Sequence, residues 1–164
     1  MKKLSMVFTV LLVMCFGLVG CADNNGDGTQ VTNPLTTYES LADLETAFGG
    51  DVADFGDNDL EGYTESEYVI IDTDYVVAEV TYVNGDNEMV VRTAEVDAVD
   101  LSGVTPVEGE YQEYDSNGIT VNYALVGDDT YVAYWTNDGF SYSLYETEEI
   151  EETYFKVLMD YLTK

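Results

Sequence analysis

The sequence predicts an α+β protein: an antiparallel meander sheet of six or seven strands, with an N-terminal and a C-terminal helix packed on one face. Three observations predict it. Turn signals recur at intervals of about ten residues through the middle of the chain, as in all-antiparallel sheets. The runs between them alternate apolar with polar residues, the period of a strand wetted on one side. Before and after these runs, two stretches space their apolar residues as amphipathic helices do.

Residues 1–20 are a processing signal and stand apart from the fold. Lys2 and Lys3 open it, an apolar run covers residues 4–16, and Leu18-Val19-Gly20-Cys21 closes it with small residues ahead of a cysteine. This resembles the bacterial lipoprotein signal, whose cysteine is diacylated and becomes the first residue after cleavage. The resemblance implies lipidation at Cys21 and a membrane-anchored, extracytoplasmic position. The apolar run falls short of the ~20 residues that cross a hydrocarbon core. Residues 21–35 then form the lipidated cysteine and a flexible linker rich in Asn, Gly, Asp and Thr. Asp23, Asn25, Asp27 and Gly28 imitate the start of a calcium loop, but its twelfth position, where a bidentate Glu is required, holds Pro34. No metal site is expected there.

Residues 36–164 make one domain with its own core. Thr36 and Glu39 match a capping box; Leu41, Leu44 and Phe48 follow at helical spacing, and Gly49-Gly50 ends the helix. Residues 51–66 read as a loop with solvated acids. Asp57, Asp59 and Glu61 before Gly62 form a second calcium look-alike, which fails with Tyr68 at its twelfth position. Asn84-Gly85 is a hairpin signal, and a two-residue loop there pairs Val80 with Met89 and Ala78 with Val91. One face then carries Val76, Ala78, Val80, Met89 and Val91, and the other Glu79, Thr81, Glu88 and Arg92, with Val77 and Val90 as exceptions.

Asn117-Gly118, Gly127-Asp128-Asp129 and Asp138-Gly139 separate further strands near 107–115, 119–126, 130–136 and 140–146. A type I′ loop at Asp138-Gly139 pairs Trp135 with Tyr142 and Ala133 with Leu144, gathering Tyr131, Trp135, Phe140 and Tyr142 on one face. Thr147 is placed to cap a closing helix, with Glu148 and Glu149 favoured by its dipole. Its apolar stripe is Ile150, Tyr154, Val157, Leu158 and Tyr161.

Composition excludes more than it names. The chain holds 33 acidic residues against five Lys and Arg, with no His. Cleavage before Cys21 would leave only Arg92, Lys156 and Lys164 as cations. Nucleic-acid binding needs clustered cations along the phosphates, so no nucleic acid is expected as a partner. With no His, and no free thiol once Cys21 is lipidated, Ser-His and Cys-His catalysis is excluded, and no phosphate-loop or dinucleotide motif implies a cofactor. Arg92 is expected to pair with Glu79 or Glu95. Of the aromatics, Trp135 and its strand neighbours are expected in the core, whereas Tyr111, Tyr114, Tyr134 and Tyr145 fall on wetter positions and form the candidate exposed binding surface.

At YVAYWTNDGFSYSLYETEEIEETYFKVLMDYL, residues 131–162, the chain resembles a domain of unknown function catalogued as number four-three-six-seven, found in exported and membrane-anchored proteins of Gram-positive bacteria. NPLTTYESLADLETAFG resembles that family's opening helix, and LEGYTESEYVIID its Gly-Tyr segment before the hairpin. EYDSNGITVNYALVGDD resembles its middle. The likeness covers most of the chain after Pro34 and rests on turns and core aromatics. The acidity and scarcity of lysine depart from the family, which has no assigned catalytic residues to carry over.

The function expected is a membrane-anchored, non-catalytic binding or sensing module whose partner is a protein or an envelope ligand. A carrier of an acyl chain in a half-barrel groove is the alternative, and would need an unfilled apolar cavity. A carboxylate hydrolase is the third reading and would need several carboxylates converging in one cleft.

Overall fold

The computed structural model describes residues 33–58, 60–96, 100–104, 111–126, 130–147 and 150–164. The signal, Cys21 and the linker up to residue 32 lie outside the described residues, as do Asp59, Glu148, Glu149 and the Gly127-Asp128-Asp129 turn.

Turn chemistry sets the strand registers. Asn117 and Gly118 take φ of 53° and 85°, and Asp138 and Gly139 take 51° and 85°. Positive φ at both central residues is the type I′ turn, whose twist matches that of the flanking strands. The expected pairs Trp135–Tyr142 and Ala133–Leu144 follow. At the first hairpin only Gly85 has positive φ, 67°. The loop is therefore Gly85-Asp86, with glycine at its first central position as in a type II′ turn, and Asn84 pairs with Asn87. Val80 accordingly faces Val91, and Tyr82 faces Met89, in place of the Val80–Met89 pairing expected. The slip is two residues, so every side chain keeps its face.

Among the described residues the strands number eight: β1 (Leu35–Tyr38), β2 (Thr64–Asp72), β3 (Val76–Asn84), β4 (Asn87–Ala94), β5 (Gln112–Ser116), β6 (Ile119–Val126), β7 (Thr130–Asn137) and β8 (Phe140–Glu146). They form one sheet in the order β1-β2-β3-β4-β8-β7-β6-β5, all antiparallel. This corrects the single meander of six or seven strands. The sheet is two four-stranded meanders joined where β4 pairs with β8.

The additional strand replaces the expected helix start. Thr36 pairs with Ile70 in β1, and the helix α1 (Leu41–Phe48) is capped instead by Ser40, whose Oγ accepts the Asp43 N–H. Gly49 ends it in the left-handed conformation, φ 89°. Residues 51–60 are more than a solvated loop, because Val52, Phe55 and Leu60 are buried. The loop is sewn in by Ala53 N–H to Thr93 Oγ1 at 3.0 Å and Phe55 N–H to the Tyr82 hydroxyl at 3.1 Å.

The last helix, α2 (Glu152–Leu162), has Glu151 at its N-cap with no side-chain cap bond. Thr147 does not cap it. Its Oγ1 donates to the Glu88 carbonyl and accepts the Glu88 N–H, lengthening the β4–β8 seam. The buried stripe is Phe155, Leu158 and Met159, while Val157, expected within it, is 39% exposed. Ile150 precedes the helix and packs on the core from outside it. Both helices bury against one face of the sheet, where Leu44, Val80, Met89, Val91, Trp135, Leu144, Phe155, Leu158 and Met159 share a core. Residues 32–164 form one compact unit.

Candidate functional site

The face opposite the helices is drier than its polar alternation implied. Glu79, Arg92, Ser143 and Tyr134 stand in one cross-strand row. Arg92 Nε meets Glu79 Oε2 at 2.6 Å, one of the two partners expected for it. Its Nη1 reaches further, donating to the Leu101 and Ser102 carbonyls at 2.7 Å each. Leu101 and Ser102, between β4 and β5, are thus pinned across this face. Ser141 Oγ donates to the Val96 carbonyl at 2.6 Å, and Leu101 packs with Val77 and Ala94 in a second small core. That accounts for Val77, an exception to the alternation. Gly103 has φ 70°, and a Cβ there would lie 3.1 Å from Arg92 Nη1, so the pin needs glycine beside it.

Tyr111, Tyr134 and Tyr145 occupy the rim of this face. Tyr111 meets Tyr134 edge-on, with ring centroids 4.9 Å apart. The Tyr111 hydroxyl donates to Asp100 Oδ2 at 2.8 Å. Burial and that acceptor both push its pKa up. Tyr145 pairs with Val132 on one side and Val90 on the other, one diagonal step from Tyr134. All three are half-buried, so they form a strip rather than an open patch.

Tyr114 does not belong to the strip. Its partner in the β5–β6 register is Val121, a core residue, and this directs Tyr114 to the helix side. There its hydroxyl bonds both oxygens of Asp160 at 3.1 Å, and Lys156 Nζ lies 5.4 Å from its ring. It anchors α2 to the sheet.

Open depressions indent the surface among the described residues, and three of them stand out. One of about 260 Å³ is lined by Glu61, Tyr63, Asn84, Glu146, Ile150, Glu151 and Tyr154. Glu146 is 1% exposed and accepts the Tyr63 hydroxyl at 2.6 Å. Sequence reasoning missed Glu146 because it stood among 33 acids; its alternation within β8 was the signal that separated it from solvated neighbours. A second, of about 170 Å³, lies where residues 51–53, the ends of two hairpins and the end of α2 meet, beside Trp135 and Tyr142. These rings stack 5.4 Å apart at 11°. The third, about 400 Å³, borders β1 and α1.

Among the described residues no group of three or more acidic side chains is arranged to hold a metal ion. No helix among them is long and apolar enough to cross a membrane. The described cations each have a carboxylate or ring beside them: Arg92 on Glu79, Lys156 on Glu152 at 2.6 Å, and Lys164 over Tyr161 at 4.5 Å. Compared with known proteins, the chain matches no family model, no curated protein and no solved structure.

Proposed function

We propose that the chain is a non-catalytic binding module, held outside the cell membrane by lipid on Cys21, and that the Tyr111–Tyr134–Tyr145 strip engages a protein or envelope ligand. The observation that carries this is the edge-on Tyr111–Tyr134 pair set on Asp100, beside a face locked by Arg92. Rings held at fixed angles with hydroxyls and carboxylates at their edges suit stacking and cation–π contact at little entropic cost. The lipoprotein-like signal and the resemblance to domains of exported Gram-positive proteins favour the same reading.

The packed core favours binding at the surface over carriage of an acyl chain. Trp135, Leu144, Phe155, Leu158 and Met159 are 1% exposed or less where a carrier would need an apolar cavity. The experiment is co-sedimentation of residues 21–164 with purified cell-wall material and with basic proteins. Tyr111→Ala and Tyr134→Ala are expected to abolish retention without changing the far-ultraviolet spectrum; retention undiminished in both variants refutes the strip. For the anchor, Cys21→Ala is expected to move the protein from membrane to soluble fractions.

One observation favours a hydrolase as the second reading: Glu61, Glu146 and Glu151 line one depression. General acid–base work would ask one of them to hold a proton beside another that does not. Turnover of aryl glycosides by the protein, lost in Glu146→Gln, would establish that reading.

A further inference from the structure

We infer that the free edge of β1 is a docking site at which an extended, basic segment of a partner protein adds as one more strand. Among the described residues the sheet has two free edges, β1 and β5, and they are built differently. Edge strands invite pairing unless charges, proline or bulges blunt them. β5 reads QEYDS, and Glu113 and Asp115 guard it. β1 reads LTTY, uncharged and β-branched at its centre, with Leu35 50% exposed. The register irregularity on this side of the sheet lies in β2, between Glu65 and Glu67, and leaves β1 straight.

The backbone of β1 is divided between its two sides. The Asp72 N–H donates to the Pro34 carbonyl at 2.8 Å. By antiparallel alternation Thr36 and Tyr38 turn their backbone groups to β2, and Leu35 and Thr37 turn theirs outward. The Leu35 N–H is taken by Asn33 Oδ1 at 3.2 Å. The Leu35 carbonyl and both backbone groups of Thr37 stay open to a partner, with none among the described residues.

Space and charge then narrow the occupant. α1 lies over β2 and β3, burying Leu44, and leaves beyond it the open depression of about 400 Å³ lined by Thr37, Tyr38, Glu39, Asp43, Thr46 and Ala47. Thr46 and Ala47 are short, so the helix wall stands back from the edge. Glu39 and Asp43 are its charged groups, and Asp43 is held in place by Ser40 Oγ at 2.7 Å. A strand adding here would place alternate side chains in that depression, where Lys or Arg is favoured. A second copy of the chain would bring a formal charge of −28 against the same charge. Residues 22–32 of this chain hold Asp23 and Asp27 and no cation, so they offer no charge complementary to Glu39 and Asp43. A basic segment of another protein is left. The edge lies five strand steps from Tyr134, ~24 Å at ordinary strand spacing, so this site and the tyrosine strip stand or fall separately.

The test is titration of a labelled short peptide alternating lysine with valine, beside its glutamate counterpart, with amide exchange followed at Thr37. The lysine peptide is expected to bind saturably and slow exchange at Thr37, and the glutamate peptide not to bind. Thr37→Pro deletes the outward N–H without touching the β1–β2 ladder or any charge. It is expected to weaken the lysine peptide about tenfold, the value of one good hydrogen bond. Glu39→Gln is expected to weaken it about threefold, as loss of one exposed charge does. Affinity unchanged in Thr37→Pro, protection at β5 instead of β1, or no binding overturns the proposal. So does a dimer in sedimentation velocity that Thr37→Pro dissolves, because the edge would then belong to a second copy.

Discussion

The two faces of the sheet are both dry at their centres, and they are dried by different means. The helix face is sealed by hydrocarbon: Phe155, Leu158 and Met159 of α2 and Leu44 of α1 close over Val80, Val91, Trp135 and Leu144. Among the described residues the other face has only the small Val77–Ala94–Leu101 cluster and is otherwise sealed by one guanidinium, which gathers Glu79 and the carbonyls of Leu101 and Ser102, and by the buried Ser141 bonded to Val96. Apolar burial is non-directional and proportional to area, about 1.5–3 kcal/mol for each large side chain. The polar seal is directional and depends on every partner being present. The helix face should therefore tolerate volume-conserving change, and the opposite face should not tolerate even Arg to Lys.

The sharpest way to break the comparison is on the helix face. Phe155→Ala and Trp135→Ala are expected to cost about 3–5 kcal/mol each in denaturant unfolding, and Met159→Leu under about 1.5 kcal/mol. On the other face Arg92→Ala strands a Glu79 carboxylate and two carbonyls and is expected to cost about 1–3 kcal/mol. Arg92→Lys should recover less than half of that, since an ammonium lacks the fork that reaches three acceptors. Amide exchange should show the Arg92 variants loosening residues 100–104 before β4, whereas Phe155→Ala lowers protection throughout. Ser141→Ala, which removes one donor and leaves the Val96 carbonyl unmet, is expected to cost about 1 kcal/mol.

Alkaline pH tests two phenols, the buried Tyr82 and the half-buried Tyr68. Tyr82 is raised by burial, and Tyr68 is pushed up to about 12, first by its hydrogen bond to Glu65. Folding favours the neutral phenol, so this stability is complete below the ordinary tyrosine value of about 10 and falls as pH rises through the raised values. Spectrophotometric titration is expected to show Tyr82 ionising only with unfolding. The smallest effect lies at acid pH. Glu152 is lowered first by its bond to Lys156 and next by the one from Tyr123. Its stabilisation is present above the ordinary carboxylate value and is lost as pH falls through the lowered one. Glu152→Gln should slightly flatten the acid limb of the melting temperature profile, and little more, because the pair is half exposed.

These contrasts explain what was legible in the chain. Periodicity carried the β7–β8 hairpin, its register and its aromatic face, because Asp138-Gly139 leaves a single favoured loop. Asn84-Gly85-Asp86 offers two, and the sequence alone does not choose between a loop at Asn84-Gly85 and one at Gly85-Asp86. β1 was hidden because Thr36 and Ser40 both suit a helix cap, and pairing with Ile70 and Tyr68 decides which of them caps. The Phe155–Met159 stripe was displaced because Val157 is as apolar as its neighbours, and only the partner surface orients the helix. Tyr114 was misplaced for the same kind of reason: β5 is short, and its face follows from pairing with β6. Least legible was the reach of Arg92, since backbone carbonyls carry no signature in sequence.

Trp135 offers the most direct test of the central claim, that α2 and the sheet close over a packed interior. It is the chain's single tryptophan, 1% exposed and stacked on Tyr142. Acrylamide quenching of its fluorescence is the measurement. The account predicts blue-shifted emission nearly indifferent to quencher, lost in one transition together with the strand signal in circular dichroism. Free quenching of Trp135 while that strand signal stays intact would contradict it.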